Sequence, residues 1–135
     1  MAARAKYSAT TRQISVSVDP TYLDDQSVPE QSHFVWAYRI VIENHGAETV
    51  QLRSRHWRIT NARGELREVR GPGVVGEQPR LEPGDAFEYT SYVPLTTPSG
   101  IMTCSYQMET RDGENFDVGI PAFSLDSPHQ SVKLN

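Results

Sequence analysis

The sequence predicts an all-β fold, a sandwich of two sheets with about seven strands, on three observations. Apolar residues recur with a period of two through most of the chain, the pattern of a half-buried strand. Glycine, proline, asparagine and aspartate interrupt that pattern every ~8–12 residues, the spacing of turns in a sandwich. Apolar residues at helical spacing are missing. At 135 residues and 15.2 kDa the chain fits one domain with a core of its own.

Each element has its own justification. Ile14, Val16 and Val18 alternate with Ser15 and Ser17 in a first strand, expected to stop at Asp19-Pro20. Asp24 to Ser32 is polar and reads as a long loop. From His33 to Asn44, one face collects Phe34, Trp36, Tyr38, Ile40 and Ile42, while Val35, Ala37 and Val41 make the other partly apolar, as in a central strand. Asn44-His45-Gly46 is a turn. The next strand places Val50 and Leu52 inward, yet Trp57 and Ile59 have the opposite parity. A strand changes parity only by adding a residue, which predicts a bulge or kink near Ser54–His56.

Asn61–Gly64 turns the chain into a short strand, Glu65–Arg70, and the glycine- and proline-rich stretch from Gly71 to Gly84 reads as an ordered loop. Phe87, Tyr89, Ser91 and Val93 form one inward row, and Met102, Cys104, Tyr106 and Met108 another. After the Asp112-Gly113 hairpin turn come Phe116, Val118 and Ile120, then Phe123 and Leu125 beyond Pro121. The count and spacing fit an immunoglobulin-like or fibronectin type III-like β-sandwich, with a small barrel as the competing architecture. Residues 1–11 and 126–135 carry no sustained periodicity and are expected to be flexible tails around a domain at 12–125.

Composition narrows the function. The net charge of −4 argues against nucleic-acid binding, and no apolar run reaches the ~18–20 residues of a membrane span. Met1–Tyr7 lacks the apolar core of a signal peptide, so a cytoplasmic protein is expected. The single cysteine, Cys104, leaves no internal disulfide. Charge is unevenly spread: between positions 53 and 80, seven arginines face three glutamates. This arginine-rich middle is a candidate anion-facing surface, although strand-face pairing with those glutamates explains it more simply.

Gly71-Pro72-Gly73-Val74-Val75-Gly76 matches G-x-G-x-x-G. In dinucleotide-binding folds such glycines let amides approach a pyrophosphate at a helix N-terminus. Pro79 and Pro83 forbid that helix here, so what survives is a loop nest of amides flanked by Arg70 and Arg80. The alternative is architectural, with the glycines allowing a tight loop. His33, His45, His56 and His129 show no metal-ligand spacing, no serine lies in a G-x-S-x-G context, and Cys104 sits on an inward face where thiols are inert. A non-enzymatic protein without a cofactor is the expectation. Arg53, Arg55, His56, Trp57 and Arg58, on irregular backbone and rich in residue types common at hot spots, are the candidate partner-binding segment, with core burial of Trp57 the competing reading.

Taken together, Arg55-His56-Trp57, Gly71 to Gly76 followed by Glu77-Gln78-Pro79, Pro83-Gly84, Tyr89, Pro98, Tyr106-Gln107-Met108 and Ile120-Pro121 resemble the ApaG family over roughly residues 12–125. Cys104 departs from a glycine common in that family, and Val93 from a frequent cysteine. The resemblance implies a fibronectin type III-like sandwich. It also implies a protein-interaction role, since similar domains are joined to F-box proteins and to a DNA-polymerase-interacting protein, and an association with cobalt and magnesium handling. Its proposed pyrophosphate motif falls on Gly71, Gly73 and Gly76. Three functions follow as expectations: a module binding an unknown protein partner, a sensor of a pyrophosphate-containing nucleotide such as diadenosine tetraphosphate, or a divalent-cation binder.

Overall fold

The computed structural model describes residues 7–129. Its strands, in chain order, are β1 (Tyr7–Thr11), β2 (Ile14–Tyr22), β3 (Phe34–Asn44), β4 (Val50–Asn61), β5 (Leu66–Pro72), β6 (Arg80–Leu81), β7 (Ala86–Leu95), β8 (Gly100–Thr110) and β9 (Asn115–Leu125). Two antiparallel sheets, ordered β1-β2-β3-β7 and β5-β4-β8-β9 with β6 also on β4, face each other as a sandwich. The expected inward rows form the shared core, with Val16, Val18, Ile40, Ile42, Tyr106, Met108, Val118 and Leu125 all fully buried. No helix of the described residues is long and apolar enough to cross a membrane.

Four expectations need correction. Residues 7–11, expected in a loose tail, form β1, with the Tyr7 ring tilted against Phe123 at 5.9 Å and its hydroxyl accepting the Ser124 amide. β2 runs through Pro20 rather than stopping there. Among the described residues β1 pairs with it only as far as Val18, so Pro20 lies beyond the described ladder and its missing N–H removes none of those bonds. The stretch from Gly71 to Gly84 is partly strand, because β5 takes in Gly71 and Pro72 and β6 pairs with Val50 and Gln51. Residues 126–129 are docked. The Asp126 carbonyl accepts Trp36 Nε1–H at 2.8 Å, Ser127 donates to the Pro98 carbonyl at 2.6 Å, and the His129 ring lies 5.8 Å from Tyr22. The remaining expected tail residues, 1–6 and 130–135, lie outside the described residues.

The parity change in β4 is present, one residue earlier than expected. Leu52 pairs with Met108 and Ser54 with Gln107, so Arg53 is the extra residue. Beyond it Arg55, Trp57 and Ile59 point inward, opposite Tyr106, Cys104 and Met102.

Candidate functional site

The two sides of the sandwich differ. On one, β9 packs against β1 and β2. On the other, β5 and β7 are outermost in their sheets, and Arg67 Nη2 reaches across to the Pro94 carbonyl at 3.5 Å. Cross-strand partners share a face, so Arg67, Val69 and Gly71 of β5 lie on the inward side with Ile59, Trp57 and Arg55 of β4. That inward row is not covered: every residue from Leu66 to Arg70 is exposed, Val69 at 37%. Among the described residues the opposite sheet ends at β7 and leaves these β5 residues exposed. A groove results, with a cavity of about 320 Å³ bordered by Tyr38, Arg55, Trp57, Val75, Tyr89 and Ser91, and a second of about 240 Å³ near Ile59, Arg67 and Pro94.

Arg55 is the charged centre of the larger cavity. It occupies an inward strand position, half-buried, and donates from Nη1 to the Pro72 and Gly73 carbonyls at 3.1 and 2.7 Å. Among the described residues no carboxylate forms an ion pair with it. Gly71 makes room for it, because a Cβ there would stand 3.2 Å from the guanidinium. The neighbouring groups are neutral. Burial raises the Tyr38 phenol, with a hydrogen bond to Ser91 opposing the shift. The Tyr89 and Tyr106 hydroxyls bond each other, and burial pushes both far up. The Cys104 thiol is likewise raised by burial. At neutral pH the cavity therefore offers one cation and several protonated hydroxyls, a set suited to receiving an anionic oxygen.

Above it the glycine motif folds into a two-residue hairpin. Val74 and Glu77 exchange both backbone hydrogen bonds at 2.8 Å, and Val75 and Gly76 between them have φ of 43° and 81°, positive at both central positions as a type I′ turn requires. Gly73 is needed sterically, since a Cβ would meet the Glu77 carbonyl oxygen at 2.2 Å. Its own amide donates to the Arg53 carbonyl at 2.8 Å. The Gly73, Val74 and Glu77 amides thus already have backbone acceptors. Arg70 lies opposite His56 on β4 and Arg80 opposite Gln51, five residues or roughly 16 Å apart along the strand. The two arginines thus stand at separate positions along β4, on either side of the glycine hairpin.

The expected partner-binding segment divides between faces, because alternate strand residues point oppositely. Trp57 is 3% exposed and packs edge-on against Tyr106 and Phe123, so it belongs to the core, not to a docking surface. His56 and Arg58 point outward and share Glu68, at 3.3 and 3.0 Å. Arg53, in the bulge, pairs with Glu109 at 2.8 Å. Of the segment, Arg55 and the indole of Trp57 border the groove cavity, and Arg55 alone brings it a charge. Tyr38, Tyr89 and Ser91 were not singled out as site residues from the sequence, since a tyrosine or serine within an inward row reads equally well as ordinary core. Arg67 was counted only among the seven arginines of the middle stretch, and Val69 only as part of a short strand. Among the described residues no three His, Cys, Asp or Glu side chains gather as a cation site.

Comparison with known proteins decides the family. The ApaG domain family matches residues 24–110. This chain belongs to the ApaG family. Protein ApaG of Rhodospirillum centenum is 66% identical over 129 residues, covering 96% of this chain and 99% of that protein, and Protein ApaG of Paramagnetospirillum magneticum is 65% identical with the same coverage. A crystal structure from Bordetella pertussis, described as an ApaA protein, superposes with a TM-score of 0.83 at 43% identity, covering 94% of this chain and all of that one. The ApaG fold is thus the sandwich expected from the strand pattern.

Proposed function

We propose that this ApaG-family chain is a non-enzymatic binding module that docks a protein partner in the groove between β5 and β7. The observation that carries this reading is the uncovered inward row of β5. Arg67 and Val69 occupy the layer that elsewhere in the sandwich is shut against the facing sheet, yet here they meet solvent. Irregular backbone on a rigid scaffold, here the Val74–Glu77 hairpin at the groove's end, is a common setting for recognition. The neutral phenols and buried thiol supply no activated group for catalysis. An association with cobalt and magnesium handling then acts through the partner.

Photocrosslinking tests this. A benzoyl-phenylalanine at Val69 or Val75, both exposed at the groove, should capture a discrete partner in cells. The same group at Ser8 or Ser17, near the closed side, should not. Equal capture from both sides, or none from the groove, removes the groove from consideration.

A further inference from the structure

We infer that the groove receives an extended, acidic segment of the partner protein as an added strand on the free edge of β7, with side chains reading acid, apolar, acid at every second position. This rests on the groove being the docking surface and adds the chemistry of what docks.

The main chain makes the first argument. Pro94 accepts a hydrogen bond on its carbonyl from Arg67, across the groove and away from β3. At the other end of the strand, the Asp85 carbonyl accepts the Asn44 amide at 2.9 Å, turning the odd-numbered positions toward β3. Both contacts give one phase, so the main-chain groups of Glu88, Thr90 and Tyr92 point to the outer edge. Among the described residues no strand pairs there. Long edges are normally blunted by charge, proline or a bulge. Here Pro94 blocks one end and Glu88 is paired with Arg39 at 2.7 Å, but Thr90 to Tyr92 carries no charge and no bulge. Such an edge takes up an extended chain by backbone pairing.

The side chains fix the chemistry. A strand added to β7 continues its sheet beneath β5, in the position whose absence leaves β5 uncovered. Its inward side chains then meet Arg67, Val69 and, over the bare backbone of Gly71, Arg55. Arg67 and Gly71 are four residues or about 13 Å apart, the span between positions i and i+4 of a facing strand. Neither Arg55 nor Arg67 has a carboxylate partner among the described residues; each donates only to backbone carbonyls. Glu65, at the groove's far end, is already held by Asn61 and Arg63. Two uncompensated cations with Val69 between them select acids at i and i+4 and an apolar residue at i+2.

Fluorescence anisotropy on the full chain tests this with a labelled peptide of about twelve residues containing Glu-Thr-Val-Thr-Glu. The peptide should bind saturably and shift the Glu88, Thr90 and Tyr92 amides in NMR spectra. Replacing both glutamates by lysine should weaken binding at least about tenfold, as should Arg67→Glu, an exposed change that leaves the fold intact by circular dichroism. N-methylating the peptide amides that face β7 should abolish binding while leaving its charge unchanged. The inference is overturned by no saturation, by equal affinity for the lysine peptide, by indifference to Arg67→Glu or N-methylation, or by shifts elsewhere. It is also overturned if light scattering shows a dimer joined through β7, since a second copy then fills the edge. A groove-crosslinked partner that the acidic peptide fails to displace removes the added strand but leaves the docking surface standing. Absence of groove capture removes the docking surface itself.

Discussion

Val75 holds a conformation that its side chain opposes. At φ 43° a β-branched residue crowds its own backbone, and with 54% of its surface exposed it recovers little by burial. Residues so strained cost about 1–3 kcal/mol and persist where the surroundings dictate them. Here the dictating contacts are the paired Val74–Glu77 bonds and the close approach at Gly73. Val75→Asn would create Asn-Gly, the preferred pair for this turn, and should raise stability by about 1 kcal/mol in urea melts. If the side chain serves the groove, the same variant should weaken partner capture while it stabilises the fold. The φ requirement was hidden in the sequence, where Val-Val resembles strand and only the flanking glycines announced a turn. Arg55 was legible as a candidate, but its role was not. That role depends on Gly71 and on the hydroxyls of β3 and β7, which meet it only across the assembled sheets.

At the level of strands, Arg53 decides which side chains of β4 are inside. It is the one unpaired position between Leu52 and Ser54, and without it Val50 and Leu52 could not share a face with Trp57 and Ile59. Deleting Arg53 should therefore expel one pair or the other, costing on the order of 3–6 kcal/mol from two apolar side chains. Arg53→Ala, which keeps the extra residue, should cost less than ~1 kcal/mol, since it loses an exposed pair. Chemical denaturation of the two variants side by side separates register from charge. The conflict of parity was fully visible in the sequence and could only mean a bulge. Which residue absorbed it was not, because any position between the two apolar pairs satisfies the alternation. β1 and β6 were missed because each is short, and β6 is also paired with a strand remote in sequence. The same alternation explains why Arg53–Arg58 could not act as one surface patch.

Across the molecule, the buried phenols make alkaline pH a probe of the whole fold. Tyr38, Tyr89 and Tyr106 are raised from an ordinary value of 10.0, chiefly by burial. The folded state therefore keeps protons that the unfolded chain releases. Their contribution to stability is complete below pH ~10 and falls as the pH climbs through the raised folded values, because proton release then favours unfolding. Phenolate absorbance should accordingly show these three tyrosines ionising together with loss of the fold, after the exposed ones. Gradual ionisation with the fold intact would mean that water reaches the cluster. The partnership of β9 with β1 and β2 has a consequence for synthesis. These strands are far apart in the sequence, so the β1-β2 hairpin leaves the ribosome well before β9 and waits, with Ile14, Val16 and Val18 bare, for that strand to follow. A growing chain thus carries one open side that β9 will shut, and a second, between β5 and β7, that no described strand fills.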